Sequence, residues 1–187
     1  MTDLAVLHAR GVEEFGRRVH QISAGQWHDR TPCSEWDVRV LVNHVTVEQL
    51  WAPYVMSGKT LAEVGDRFDG DQLGADPLAS WDRAAADAAA AFSAEGALLG
   101  RVHLSSGEAA ASHYCAEMVV DLVVHAWDLA RAIGADERLD AELVGYAEEQ
   151  GHARKDLVSS GFFAAPVQPP PDADLQTQML GLYGRAV

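Results

Sequence analysis

Two histidines and an aspartate stand where helical spacing would let them act on one ion. Asp121 and His125 are four residues apart in a stretch from Ser106 to Ile133 that has no proline and no glycine after Gly107. In an α-helix such positions project from adjacent turns, about 6 Å apart along the axis, so a carboxylate and an imidazole can both reach an ion lodged between helices. Earlier in the chain, Trp36, Val40, His44, Val47, Trp51 and Val55 follow one another by three or four positions, which predicts His44 on the inward stripe of a second helix. A single histidine on an apolar face is more often a hydrogen-bonded core residue. A single D-x-x-x-H is more often a surface pair. Together the three supply mixed nitrogen and oxygen donors, and three protein ligands rather than four leave a coordination position for water or substrate. His113 and Glu117 continue the strip upstream, so a rival ligand set with Glu117 stays open.

Other residues could contribute. Trp51, Met118 and Trp127 are placed to line a pocket at such a site, although tryptophans at helical spacing are more often core. Cys33 precedes a predicted helix N-terminus, where a thiol gains nucleophilicity, yet Thr31-Pro32-Cys33 also reads as a packing turn. Asp128 is positioned to orient a neighbouring helix or Arg131 rather than to react. Nothing supplies an unmistakable general base, so no catalytic residue is assigned.

The elements that must hold these residues read as helices. Asp3 to Ile22 carries Leu4, Leu7, Val12, Phe15, Val19 and Ile22 at amphipathic spacing. Gly and Pro break the pattern over Ala24 to Cys33, and Ser34-Glu35-Trp36-Asp37 offers a capping box, with the Ser34 hydroxyl at the amide of residue 37, for a helix running to about Met56. Gly65 to Asp76 is a polar loop. Asp76-Pro77 starts a third helix to about Phe92, rich in alanine. Arg101 to Leu104 has extended character but is too brief to establish a sheet. The long helix from Ser106 ends at Gly134, a fifth runs from near Asp140 to Leu157, and the proline-rich tail Pro166 to Pro171 crosses the surface. The expectation is one all-α domain over residues 1–187.

Composition narrows the partners. Hydrophobic residues make up 48% and charged residues 22%, which suits a self-folding globular domain. A net charge of -14 repels phosphate backbones and anionic lipid heads, arguing against nucleic acid and membrane surfaces. No uncharged apolar run approaches the roughly 18 residues of a membrane span, and Met1-Thr2-Asp3-Leu4 lacks a basic region leading into an apolar one, so a cytoplasmic location is expected. Two cysteines, Cys33 and Cys115, make no disulfide framework. The expected partner is a small molecule or thiol, with a homodimer kept open.

Thr31-Pro32-Cys33-Ser34-Glu35-Trp36-Asp37-Val38-Arg39 leading into Val42-Asn43-His44-Val45, with Asp121 to Ala132 far downstream, resembles the DinB-like superfamily. More narrowly it resembles the actinobacterial branch that holds the metal-binding domain of mycothiol-dependent maleylpyruvate isomerase. The closing Leu180-Gly181-Leu182-Tyr183-Gly184-Arg185 is similar to the end of an uncharacterised subfamily there. The resemblance implies an up-down-down-up four-helix bundle with an additional helix, and a divalent metal, zinc or alternatively nickel, on the positions of His44, Asp121 and His125. It also implies mycothiol or another low-molecular-weight thiol as co-substrate of a transferase or isomerase. The isomerase has Glu where this chain has Asp121, and a C-terminal domain for which 187 residues leave no room after the bundle, so its own reaction is not carried over. Two other classes stand beside the enzyme: a non-catalytic metal- or small-ligand-binding bundle, and a structural bundle with satisfied core histidines.

Overall fold

The structure is a computed structural model that describes residues 3–153 and 163–187. Helices α1 (Leu4–Val19), α2 (Val38–Met56), α4 (Pro77–Ser93) and α5 (Ala111–Ile133) form the bundle. They pack in the ring α1–α4–α2–α5, which sets α1 across from α2 and α4 across from α5. A one-turn α3 (Leu61–Val64) interrupts the polar stretch after α2, where Thr60 and Glu63 form a capping box. α6 (Ala141–Ala153) packs on α5 and on a final α7 (Leu175–Leu182), which the sequence reading did not anticipate. The fold is all-α, as expected.

Local chemistry sets most boundaries. Asp3 caps α1 by accepting from the Ala5 amide at 3.0 Å, and Asp76 accepts from Ala79 ahead of Pro77 in the first turn of α4. α5 stops at Gly134, which adopts φ 70°. Asp140 accepts from the amides of Glu142 and Leu143 at the head of α6. The predicted end of that helix at Leu157 lies outside the described residues.

Two starts differ from expectation. α2 begins at Val38, capped by Asp37, which accepts from Val40 at 2.9 Å. Ser34 is not the cap. The Thr31 hydroxyl, 2.9 Å from the Trp36 carbonyl and 3.1 Å from the Cys33 carbonyl, closes residues 31–36 into a turn and postpones the helix. α5 begins at Ala111 rather than Ser106, because Gly107–Ala110 (β2) pairs antiparallel with Arg101–Leu104 (β1). That two-stranded hairpin is the only sheet among the described residues.

The interior is built on small and large residues in alternation. Ala84, Ala85 and Ala88 let α4 approach its neighbours, and the fully buried Trp81 meets Phe15 of α1 with ring centroids 4.9 Å apart. The inward stripe of α2 is Leu41, Val42, Val45, Gln49 and Ala52, one position round from the expected one. Val40 is 44% exposed. His44 therefore sits on the flank of α2 that faces α5, with its side chain 30% exposed, and not within the core stripe. α5 carries its expected stripe, with Met118, Leu122, His125 and Leu129 all buried. Pro166 to Pro171 is mainly exposed, as expected of a surface tail. No helix of the described residues is long and apolar enough to cross a membrane.

Candidate metal centre

The seam between α2 and α5 brings the three predicted ligands together. Asp121 Oδ1 lies 3.3 Å from His125 Nε2 and 3.6 Å from His44 Nε2, and one donor atom from each residue falls within 4.8 Å of the others. Asp121 Oδ2 is buried and has no hydrogen-bond partner. A buried carboxylate oxygen without a donor is costly, and a cation held between the three donors removes that cost. The donor set suits zinc, which takes imidazole nitrogen and carboxylate oxygen. Where the residues fit an ion, the remaining question is whether the imidazoles present the right nitrogen.

For His125 a further carboxylate settles it. Asp128, one turn on along α5 and fully buried, lies 2.9 Å from His125 Nδ1 through Oδ2. Burial works against its charge, but the bonds from His125 and Arg185 outweigh it and hold the carboxyl below the usual range. An ionised carboxylate only accepts, so Nδ1 carries the proton and donates, and Nε2 turns its other face toward Asp121 and His44. Arg185, from the end of the chain, donates to Asp128 from Nε at 3.1 Å and Nη2 at 2.7 Å. Cys33 Sγ completes this layer, 3.4 Å from Asp128 Oδ2 and 3.2 Å from Arg185 Nη2. Cys33, His125 and Asp128 form the second group of metal-competent atoms among the described residues.

The electrostatics of these side chains follow from their contacts. Burial disfavours the charged form of His125, but the Asp121 charge and the hydrogen bonds to its carboxylate neighbours win, and its pKa is raised well above 6.5. Asp121 is likewise penalised by burial and still driven far down by His125 and His44. Glu48, four residues after His44 on α2, behaves differently. Burial and the Asp121 charge push it up to about 7, against the pull of His44 and His125. That places a proton-accepting group near neutrality beside the cluster.

Aromatic rings cover the site, though not those expected. Trp36 lies over both imidazoles, with centroids 4.7 Å from His44 and 5.7 Å from His125. A cleft of about 290 Å³ opens beside His125, bounded by Pro32, Cys33, Trp36, Phe163 and Arg185. Of the three residues expected to line a pocket, Trp127 borders a neighbouring cavity that shares Pro32 and Arg185 with this cleft, and Trp51 and Met118 lie elsewhere. Trp127 is buried against Leu143 and Tyr183 with the Arg131 guanidinium over its ring at 4.6 Å; two residues along a helix is about 200° of rotation, which turns it away from His125. Met118 packs with Phe92, Tyr114 and Cys115, and Trp51 meets Phe68 edge-on at 5.4 Å. Trp51 is seven residues, about 10 Å of helix, from His44, while Met118, though one turn before Asp121, belongs to that separate core cluster. His113 and Glu117 pair with each other at 3.3 Å and belong to neither metal-competent group.

Glu48 and Arg185 are functional candidates that sequence reading missed, and Asp128, read as orienting a neighbouring helix or Arg131, is instead bonded to His125 and Arg185. The spacing of Glu48 from His44 repeats the i, i+4 rule already used for Asp121 and His125, and Asp128 stands at i+3 from His125. Both signals were available. Arg185 was visible only as part of a closing motif.

This bundle with its polar seam defines the class. The chain belongs to the family of the mycothiol maleylpyruvate isomerase N-terminal domain, whose pattern matches residues 8–130. It is similar at 31% identity over 195 residues to the uncharacterized proteins MT0763 and Rv0738 of Mycobacterium tuberculosis strains CDC 1551 / Oshkosh and ATCC 25618 / H37Rv, covering 99% of this chain and 99% of each relative. No solved structure matches the chain at a significant level.

Proposed function

We propose that the protein holds one divalent ion, zinc in preference to nickel, on His44, Asp121 and His125, and acts on a small molecule with mycothiol or another low-molecular-weight thiol as co-substrate, in a transfer or isomerisation. The observation that carries this reading is the orphaned Asp121 Oδ2 within a set of three converging donors, with His125 Nδ1 already engaged by Asp128. Zinc with an open position lowers the pKa of a coordinating thiol or water and so supplies a nucleophile near neutral pH. Glu48, one turn along α2 from His44 and electrostatically coupled to Asp121 and both histidines, is the group on this chain placed to take up the displaced proton. Trp36 and Phe163 form apolar walls on either side of the buried His125 imidazole.

A second reading is a metal-binding bundle without turnover. The size of the cleft favours it: about 290 Å³ is at the lower edge of the roughly 300–1,000 Å³ of small-molecule sites. Metal analysis of protein purified without chelator, followed by cobalt substitution and titration with mycothiol, separates the readings. A sulfur-to-cobalt charge-transfer band on adding thiol supports thiol activation. Metal without that band supports simple binding. Protein that takes up no metal at all leaves only the structural bundle.

A further inference from the structure

We infer that Arg185 is a positioning residue of the metal centre, so that docking of the C-terminal segment sets the affinity for the ion. The inference rests on the metal reading above and adds to it a residue 60 positions downstream of His125 in the sequence.

Arg185 is 8% exposed and all three guanidinium nitrogens are engaged within the molecule. Nε and Nη2 grip both oxygens of Asp128, Nη1 donates to the Tyr183 carbonyl at 2.7 Å, and Nη2 also reaches Cys33 Sγ. A side chain that only anchored the tail would need none of these to fall on the one carboxylate that holds a ligand imidazole. The chain of contacts runs guanidinium, Asp128 carboxylate, His125 Nδ1, and then through the ring to Nε2 facing Asp121. A two-pronged guanidinium–carboxylate contact fixes a plane as well as a distance. It therefore fixes the direction from which Asp128 accepts the Nδ1 proton.

The segment that delivers Arg185 is itself held at several points. Tyr183 is fully buried and its hydroxyl donates to the Ala147 carbonyl at 2.8 Å. The Arg185 amide donates to the Leu180 carbonyl at 2.9 Å, closing the end of α7. α7 and α6 thus present the guanidinium to α5. Because contacts that orient a ligand histidine raise metal affinity, and coupling free energies are reciprocal, a docked tail tightens the ion and a bound ion tightens the tail.

The test is zinc affinity, by competition with a chromogenic chelator at a temperature where circular dichroism shows each variant folded. Arg185→Gln is expected to weaken binding roughly 10–100-fold, with Arg185→Lys recovering part of the loss because one charged prong remains. Cobalt spectra at saturation should shift in Arg185→Gln, which a loss of stability alone would not cause. An affinity and spectrum equal to wild type in both variants would overturn the inference while leaving the metal reading intact. Wild type that binds no zinc, or that keeps it in His125→Ala, would instead overturn the metal reading. The reciprocal arm needs no variant: zinc should slow amide exchange at Tyr183 and Arg185 in wild type, and unchanged exchange in zinc-saturated protein overturns the coupling.

Discussion

Two histidines are buried in the same bundle, and their environments drive them in opposite directions. His125 on α5 is flanked by Asp121 and Asp128, and its pKa is raised. His8 on α1 has an uncharged partner, Gln49 Oε1 at 3.0 Å, and lies against Phe92 with ring centroids 4.5 Å apart. Burial pushes His8 down to about 4, and the bond to Gln49 only partly resists. Burial is similar in the two; the partner decides. His8 Nδ1, the Nε2 of its partner Gln49 and, across Phe92, the Tyr114 hydroxyl are buried without hydrogen-bond partners, as in the other cluster Asp121 Oδ2 is. The neutral cluster offers donors and acceptors for buried water, whereas the charged one offers converging anionic and imidazole ligands. Only the second has the chemistry of a cation site.

The largest effect should come from breaking the charged cluster. His44→Ala or His125→Ala is expected to reduce bound metal from about one ion per chain to near none, measured by elemental analysis after desalting, while His8→Gln keeps the full complement. Retention of metal in both ligand variants would remove the distinction between the two histidines.

Acid sharpens the comparison from the other side. With a folded pKa near 4 against an ordinary 6.5, His8 binds fewer protons folded than unfolded between those values. Its contribution is therefore present above 6.5 and lost as pH falls toward 4. The loss is about 3 kcal/mol by linkage. Urea unfolding of wild type and His8→Gln across that window isolates it from the carboxylates: the wild-type curve should fall more steeply, and parallel curves would show that His8 is not held neutral.

A smaller effect is expected from Trp127→Phe. The indole Nε1 is buried without a partner, so its removal costs packing more than bonding, on the order of 1 kcal/mol. Zinc affinity should stay within about twofold of wild type, whereas Trp36→Ala, which uncovers both imidazoles, should change it more. A reversal of that order would return Trp127 to the site.

What could be read from sequence was what is local. Asp3, Asp76-Pro77 and Gly134 act on the amides and carbonyls of their own turn, and they delimit helices as read. The start of α2 is later than the Ser34 cap expected from sequence, because the Thr31 hydroxyl bonds across five residues and leaves Asp37, expected as the partner in that capping box, as the cap itself. Glu108, Ala109 and Ala110 have helical propensity, but pairing with Arg101, Val102 and His103 overrides it. α7 was missed because the prolines before it obscure a helix of eight residues. The ligand trio was legible since each helix declares its own faces, and the resemblance selected the same residues. The Asp128–Arg185 pair spans 57 residues, and no periodicity reports a contact that depends on the path of a tail.

Gly184 gives that tail no slack. It sits at φ 78°, and a Cβ there would lie 2.6 Å from the Ala164 carbonyl oxygen. Conformation and space both exclude a side chain. On one side Tyr183 is pinned by its hydroxyl, so a methyl group added at 184 would be accommodated mainly by moving Arg185. Position 184 is thus a tuning screw for the centre: a substitution at the cleft wall that touches no donor atom and no charge would be felt at an imidazole through two rigid links.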